Sequence, residues 1–380
     1  MRVIVTGQVG MDKKAYLAGV AAQADRIGDA IDVYHVGDQM YAEAPDLSAG
    51  RILDLALSRL TSLRRAVFRD IINDSAGHEN VIVNTHATFR WRHGLFSAFD
   101  FDQVEAFKPD LFVCLVDNIE VVHHRLHRDY EIDATLKDCM VWREEEILAT
   151  ELLSKAVKGS RFYILSRGRH IPTTRTLHRL VCDPGARKVY PSFPMSHVVD
   201  MPGVLAEIDA FRDRLAERFI TFDPGEVDEK LLLERAIEAA RVGDEFIEAG
   251  AELDGAEDEE PDAGAFVRPF KVSVREVLDI AGDIDGQIYM RDFRLIDQSD
   301  MIVSFIPELP GGLPGLSSGV ERELHHAFEH TKEVYIVWKP ERTPSPFITE
   351  TATQVFPTVD EAMAYFERKG MVGQGSLFEQ

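Results

Sequence analysis

The chain has 380 residues, 45% of them apolar and 28% charged, which supplies a sizeable core and, at roughly 150 residues per domain, material for two domains. Its 42 Lys and Arg face 65 Asp and Glu, a formal charge of −23 that argues against a broad basic surface for DNA or RNA, while a small anion in a local basic pocket is still allowed. No apolar run approaches the roughly 18 residues of a membrane span, and Cys114, Cys139 and Cys182 lie far apart without CxxC spacing. The expectation is a cytoplasmic protein with no membrane partner, no disulfide framework and no metal centre.

From Arg2 to about Leu165, short β-branched runs (RVIVTG, IDVYHVG, NVIVNTH, DLFVCLV, RFYILS) alternate with helical stretches such as 13–28 and 49–74. That alternation predicts βαβα units around a parallel sheet. Turn residues in CDPGARK mark a boundary near 180–187. A second series begins at KVYPSFPMS (188–196), continues through a helix opened by Pro202 and a strand FITFDP, and closes with a helical RDFRLIDQ (291–298), a strand MIVSFIP (301–307), a Gly/Pro loop, a helix at 319–330, a strand at 333–340 and a terminal helix. The fold class expected is α/β, with two doubly wound parallel-sheet domains over 1–183 and 184–373 and a tail at 374–380. An acidic, partly helical insertion at about 225–268, including the apolar-poor 252–264, is assigned to the second domain.

Two segments carry chemistry. Gly7-Gln8-Val9-Gly10-Met11-Asp12-Lys13-Lys14 follows a strand and opens a helix, the setting in which backbone N–H groups cradle phosphate. A full phosphate loop would have Gly where Asp12 stands and Ser or Thr where Lys14 stands, the latter to give magnesium a hydroxyl. An ordinary glycine turn is the plainer alternative. Further on, Ser317-Ser318-Gly319 stands at a helix N-terminus with Glu323 following, a dipole site for an anion; a Glu so near a helix start is often there only for the dipole.

The front segments VIVTGQVGMDKK, YHVGDQMYAEA (34–44), ENVIVNTHATFRWRHGLFSAF (79–99) and 115–129 resemble, in order and spacing, the archaeal-type adenylate kinases and related small nucleotide kinases over residues 1–168. The resemblance implies a nucleotide held by Gly7, Gly10, Lys13 and Lys14, with Arg64 or Arg65, Arg90, Arg125 and Arg128 as phosphate ligands, and ATP with magnesium as cofactors. Arg suits such sites because its planar fork meets phosphate oxygens bidentately. Asp12 and Lys14 depart from the family, which favours the fold over phosphoryl transfer.

The rear stretch 288–338, with Arg-Asp, a helix, an apolar strand, Ser-x-Gly-Val-x-x-Glu-Leu and Val-Tyr-apolar-Val-Trp, resembles the nucleoside 2-deoxyribosyltransferase superfamily, and within it the 2′-deoxynucleoside 5′-monophosphate N-hydrolases. The resemblance implies Glu323 as nucleophile at C1′ and Asp292 as acid to the leaving base, with no cofactor. Tyr190 is either an orienting group or a core aromatic, and Ser192 belongs to the substrate loop. Ser317, Ser318 and Gly319 stand where the transferases acting on free nucleosides carry an acid, which implies a 5′-phosphorylated substrate. Cleaving an N-glycosidic bond through an oxocarbenium-like state needs one carboxylate ionised and one protonated. The function expected is therefore a nucleotide N-glycosidase fused to a kinase-like domain, working as a homodimer. The alternatives are a nucleotide kinase with a binding-only rear domain, or a front domain that senses nucleotide.

Overall fold

The computed structural model describes all residues except 48–51, 53–54, 92–93, 169–172, 196–197, 251–268 and 373–380. Strand β1 (Arg2–Thr6) passes through the Gly7–Asp12 loop into α1 (Lys13–Ile27), and β2 (Asp32–His35), α2 (Val36–Ala42), α3 (Leu57–Asp74) and β3 (Val81–Asn84) follow. A hairpin of β4 (Thr88–Trp91) and β5 (Gly94–Ser97) leads to α4 (Phe101–Phe107), β6 (Leu111–Val116), α5 (Ile119–Tyr130), α6 (Leu136–Ala156), β7 (Arg161–Ser166) and α7 (Thr173–Cys182). The parallel sheet runs β2-β3-β1-β6-β7. Its central strands are buried on both faces, as their continuous apolar runs require. The helix read over 49–74 settles as Leu57–Asp74, with 49–51 and 53–54 outside the described residues.

The second series opens with β8 (Lys188–Ser192), α8 (Pro202–Arg218) and β9 (Ile220–Thr221), followed by α9 (Lys230–Val242), the antiparallel pair β10 (Phe246–Ala249) and β11 (Phe270–Ser273), and α10 (Val274–Asp279). Then come α11 (Ala281–Asp297), β12 (Met301–Ile306), a hairpin of β13 (Glu308–Leu309) and β14 (Leu313–Pro314) where a plain loop was expected, α12 (Ser318–Glu329), β15 (Glu333–Trp338), α13 (Pro346–Thr349), β16 (Gln354–Phe356) and α14 (Val359–Arg368). The second parallel sheet runs β9-β8-β12-β15-β16. Counted along the chain, its five strands take the doubly wound order 2-1-3-4-5, whose switch point lies between β8 and β12. Phe211, Phe219, Phe305 and Phe366 fill the core of this unit.

Both domains are thus α/β with parallel sheets, and the chain divides into two compact units, Met1–Cys182 with Val227–Asp285, and Asp183–Glu226 with Gly286–Gln380. The acidic segment expected inside the second domain differs here, because Val227–Asp285 groups with the first unit. The reason lies in buried polar pairs: Arg143 on α6 donates to the Glu229 carboxylate, and Asp228 N donates to Asn118 Oδ1 at 3.1 Å. The acidic run 252–264 and the tail from 374 lie outside the described residues. Among the described residues no helix is long and apolar enough to cross a membrane.

Candidate functional site

The front site grows from the carboxyl end of β1. Gly7 has φ 149° and an added Cβ would stand 2.9 Å from the Leu115 carbonyl oxygen; Gly10 has φ 86° and would press on Leu126 at 3.0 Å. Only glycine meets both demands. Asp12 sits in the left-handed region at φ 48° as N-cap of α1, without a side-chain capping bond. Buried Arg167, just past β7, donates to the Met11 carbonyl and, at 3.3 Å, to the Asp12 carboxylate. The negative charge placed in the loop is therefore countered from 155 residues away. Lys14 is exposed and pairs with Asp38.

Lys13 is buried, donates to the Gly7 carbonyl at 2.7 Å and lies 3.2 Å from His86 Nδ1. Burial brings its ammonium from 10.5 down to about 8, against the pull of the Glu146 charge. His86 is held well below its ordinary value, first by burial and then by Lys13, and is neutral. Glu146, on the buried face of α6, accepts from Gly7 N at 3.2 Å, Ala87 N at 2.8 Å, Thr88 N at 2.9 Å and Thr88 Oγ1 at 2.6 Å. One carboxylate thus ties the start of the loop to the THATFR segment.

A cavity of about 260 Å³ opens here, lined by the loop and by Lys13, Arg64, Asn84, His86 and Phe89 among others. Arg64 is 4% exposed and lies 5.3 Å over the Phe89 ring. Burial lowers it to about 10, with Asp100 opposing, so it keeps its charge at neutral pH. Among the described residues, one terminal nitrogen of Arg64, both polar side-chain atoms of Gln8 and Oδ1 of Asn84 find no hydrogen-bond partner. Asn84 Nδ2 donates to His35 Nδ1 at 2.9 Å, and burial keeps His35 below its ordinary value. A buried cation and three unanswered amide atoms facing one cavity are the mark of a place for a polar anionic ligand.

The other arginines named from the sequence do not line this cavity. Arg65 pairs with Asp100 at 2.8 Å and with Asp102, Arg90 with Glu145, and Arg128 with Asp129, all at exposed positions. Arg125 is buried against Asp117 at 2.8 Å and reaches the Gly10 carbonyl at 3.5 Å, so it braces the loop from behind. Gln8, Glu146 and Arg167 were missed. Glu146 lies in a run of three acids that reads as a solvated face, yet its spacing from Cys139, Arg143, Ile147 and Thr150 puts it on the buried stripe of α6.

The rear site gathers at the switch point. Tyr190 and Ser192 are two apart on β8 and so share a face. Tyr190 donates its hydroxyl to Glu323 Oε1 at 2.9 Å, and Ser192 donates to Oε2 at 2.6 Å. Ser304, opposite Ser192 on β12, donates to the Ser192 hydroxyl at 3.3 Å, a contact unforeseen from the sequence. Burial and then the Asp292 charge push the Glu323 carboxyl from 4.5 up to about 8, against the two hydrogen bonds. Burial and the same two carboxylates hold Tyr190 well above its ordinary value. Asp292 is half-buried on α11, and Glu321 is exposed. Ser317 is the N-cap of α12, accepting from Val320 N at 3.2 Å, with Ser318 and Gly319 in the first turn of the helix that carries Glu323.

Residues 6–138 match the AAA domain family. The glycine loop that leads from β1 into α1 beside a parallel sheet has the form of a phosphate-binding loop and agrees with that match. Among solved structures, a gluconokinase from Sinorhizobium meliloti 1021 aligns over 43% of this chain and 81% of its own at 15% identity with a TM-score of 0.26, a likeness too slight to bear on substrate. No curated protein matches the chain.

Proposed function

We propose that the front unit binds a phosphorylated nucleotide in the cavity beside the Gly7–Asp12 loop. The observation that carries this reading is buried Arg64, whose unpaired guanidinium nitrogen shares that cavity with Lys13 and with the unanswered amides of Gln8 and Asn84. An anion would relieve the cost of an unpaired buried charge, and the amides offer donors and acceptors to a base or sugar. The AAA match over residues 6–138 supports nucleotide binding by this unit, while Asp12 and Lys14 in the loop argue against efficient phosphoryl transfer. Magnesium fits poorly, because the loop places an ammonium, Lys14, where a hydroxyl ligand is needed, and Asp12 is engaged by Arg167. Calorimetry with ATP and with nucleoside monophosphates, each with magnesium and with EDTA, tests the reading: saturable binding that Arg64→Met weakens is expected. No binding under any of these conditions overturns it.

A second reading, for the rear unit, is favoured by the two hydrogen bonds from Tyr190 and Ser192 to Glu323 at the switch point. It makes this unit an N-glycosidase acting on a nucleoside 5′-monophosphate. Glu323 and Asp292 share one site in which both cannot readily ionise, so one proton is held between them. With that proton on Asp292, ionised Glu323 attacks C1′ while Asp292 protonates the departing base nitrogen. Water then releases the sugar phosphate from Glu323, returning a proton to Asp292. The N-terminus of α12, with Ser317 to Gly319, offers N–H groups and hydroxyls to the 5′-phosphate. Incubation with paired nucleotides and nucleosides, resolved into free base, sugar phosphate and diphosphates, separates the two chemistries; faster turnover of nucleosides than of their monophosphates would refute the phosphate clamp.

A further inference from the structure

We infer that Asp297, His326 and His330 form a site for a divalent cation of the zinc class, on the side of α12 beyond Glu323. His326 and His330 stand four residues apart, so they share one helix face, and Asp297 closes the group from the end of α11. One ligand atom from each lies within 4.8 Å of the others. His326 Nε2 already meets Asp297 Oδ1 at 2.7 Å, and its ring is stacked on Phe293 at 4.4 Å, which limits its swing. Zinc ligands at about 2.0–2.1 Å from the ion in a tetrahedron are separated by about 3.3 Å, so small side-chain rotations close the group.

The hydrogen bond behind His330 favours this assignment. His330 Nδ1 meets the His326 carbonyl at 2.9 Å. A carbonyl only accepts, so that nitrogen carries the proton and Nε2 presents its lone pair, the arrangement expected of a metal-ligating imidazole. His326 must move its proton to Nδ1 to ligate through Nε2, and its ring is half-buried, not sealed in the core. Asp29, His178 and Cys182 also converge, but there Nδ1 of His178 is buried without a partner, and the same proton shift would strand an unpaired N–H. Two imidazoles and one carboxylate leave coordination positions for water and suit zinc, cobalt or nickel better than magnesium or calcium. Lys332, bonded to the carbonyls of Asp297 and Ser299, places a cation beside the group that weakens it while donating to backbone oxygens and not to a ligand atom.

Such an ion would staple α11 to α12, the helices that carry Asp292 and Glu323. That consequence rests on the glycosidase reading, whereas the binding itself does not. The test uses the full chain freed of metal with EDTA and then titrated with zinc chloride by calorimetry, and with cobalt chloride by absorption. Saturable uptake of one ion with micromolar or tighter affinity is expected, lost at least tenfold in His330→Ala and in His326→Ala and unchanged in Cys182→Ser. The cobalt spectrum should lack a thiolate charge-transfer band. At zinc one hundred times the dissociation constant, the folding equilibrium should shift about 100-fold towards the native state. Absent uptake, uptake indifferent to His330→Ala, or a thiolate band would overturn the site, and each of these readouts stands apart from turnover. His330 is exposed, so its variant is expected to fold; intact circular dichroism verifies this.

Discussion

Replacing Glu323 by Gln should raise the stability of the second unit at alkaline pH while removing base release. The folded protein holds the Glu323 proton up to about pH 8, against 4.5 ordinarily. Its contribution to folding is therefore fully present below pH 4.5 and is lost as the pH climbs through 8. At about 1.4 kcal/mol per pH unit, the span sets an upper bound of about 5 kcal/mol lost above pH 8. Relaxation of a half-buried site reduces this, and about 2–4 kcal/mol is the expectation. Gln is nearly isosteric and can accept from one hydroxyl, Tyr190 or Ser192, and rearrange with the other, which costs about 1 kcal/mol at every pH. Urea unfolding followed through Trp338, with Trp91 and Trp142 changed to Phe, reads the second unit. The two stability curves should lie close together at pH 4 and separate progressively to pH 8.5. In parallel, kcat/KM of the unmodified chain should fall as the pH climbs through about 8, because the Glu323–Asp292 pair then loses the shared proton that Asp292 must give to the departing base. Base release should fall by about 10³-fold or more in Glu323→Gln and hardly change in Glu321→Gln. Parallel stability curves would refute the raised carboxyl, and equal losses from both variants would refute the nucleophile.

Much of the architecture is visible in the residues because short β-branched runs separated by amphipathic helices leave few alternatives to parallel sheets. Local motifs are readable for the same reason: Gly7 and Gly10 are demanded by backbone geometry within a few residues of their own position. What escapes is whatever depends on distant partners. Arg167 meets Asp12 across 155 residues and changes the meaning of an acid in a phosphate loop. Arg64 and Arg65 are neighbours with equal claims in the sequence, and only the helical phase of α3 decides that one faces the cavity while the other faces Asp100. The acidic segment after 225 looks like an insertion in whatever surrounds it, and its grouping with the first unit depends on single buried pairs such as Arg143 with Glu229. In the rear unit, alternation on β8 puts Tyr190 and Ser192 on one face, but their convergence on Glu323 needs the strand order 2-1-3-4-5, which no local pattern specifies.

Phosphate or nucleotide affinity of the front cavity should fall as the pH rises through about 8, because Lys13 loses its proton there, and calorimetry across pH 6.5–9.5 should show this fall flattened in Lys13→Met. Glu146→Gln should destabilise the first unit by about 2–4 kcal/mol in chemical denaturation, since an amide cannot accept from all four donors and leaves one or more buried N–H groups unpaired. An unchanged midpoint would deny Glu146 its role as a tie. The loop itself offers the sharpest test of why the kinase chemistry should be weak. Asp12→Gly fits the left-handed backbone at φ 48° without strain and frees buried Arg167 from its carboxylate. One acid removed from about 6 Å of a bound phosphate is worth up to roughly 3 kcal/mol at an effective dielectric of about 20. Lys14→Thr then puts a hydroxyl where magnesium needs an oxygen. The double variant should bind ATP more tightly than the parent in EDTA, through the lost charge, and by at least a further tenfold in magnesium. Without nucleotide it should be less stable than the parent, because Arg167 has lost its counter-charge. An equal gain with and without magnesium would mean that charge removal alone is at work and that Lys14 is not what excludes the metal.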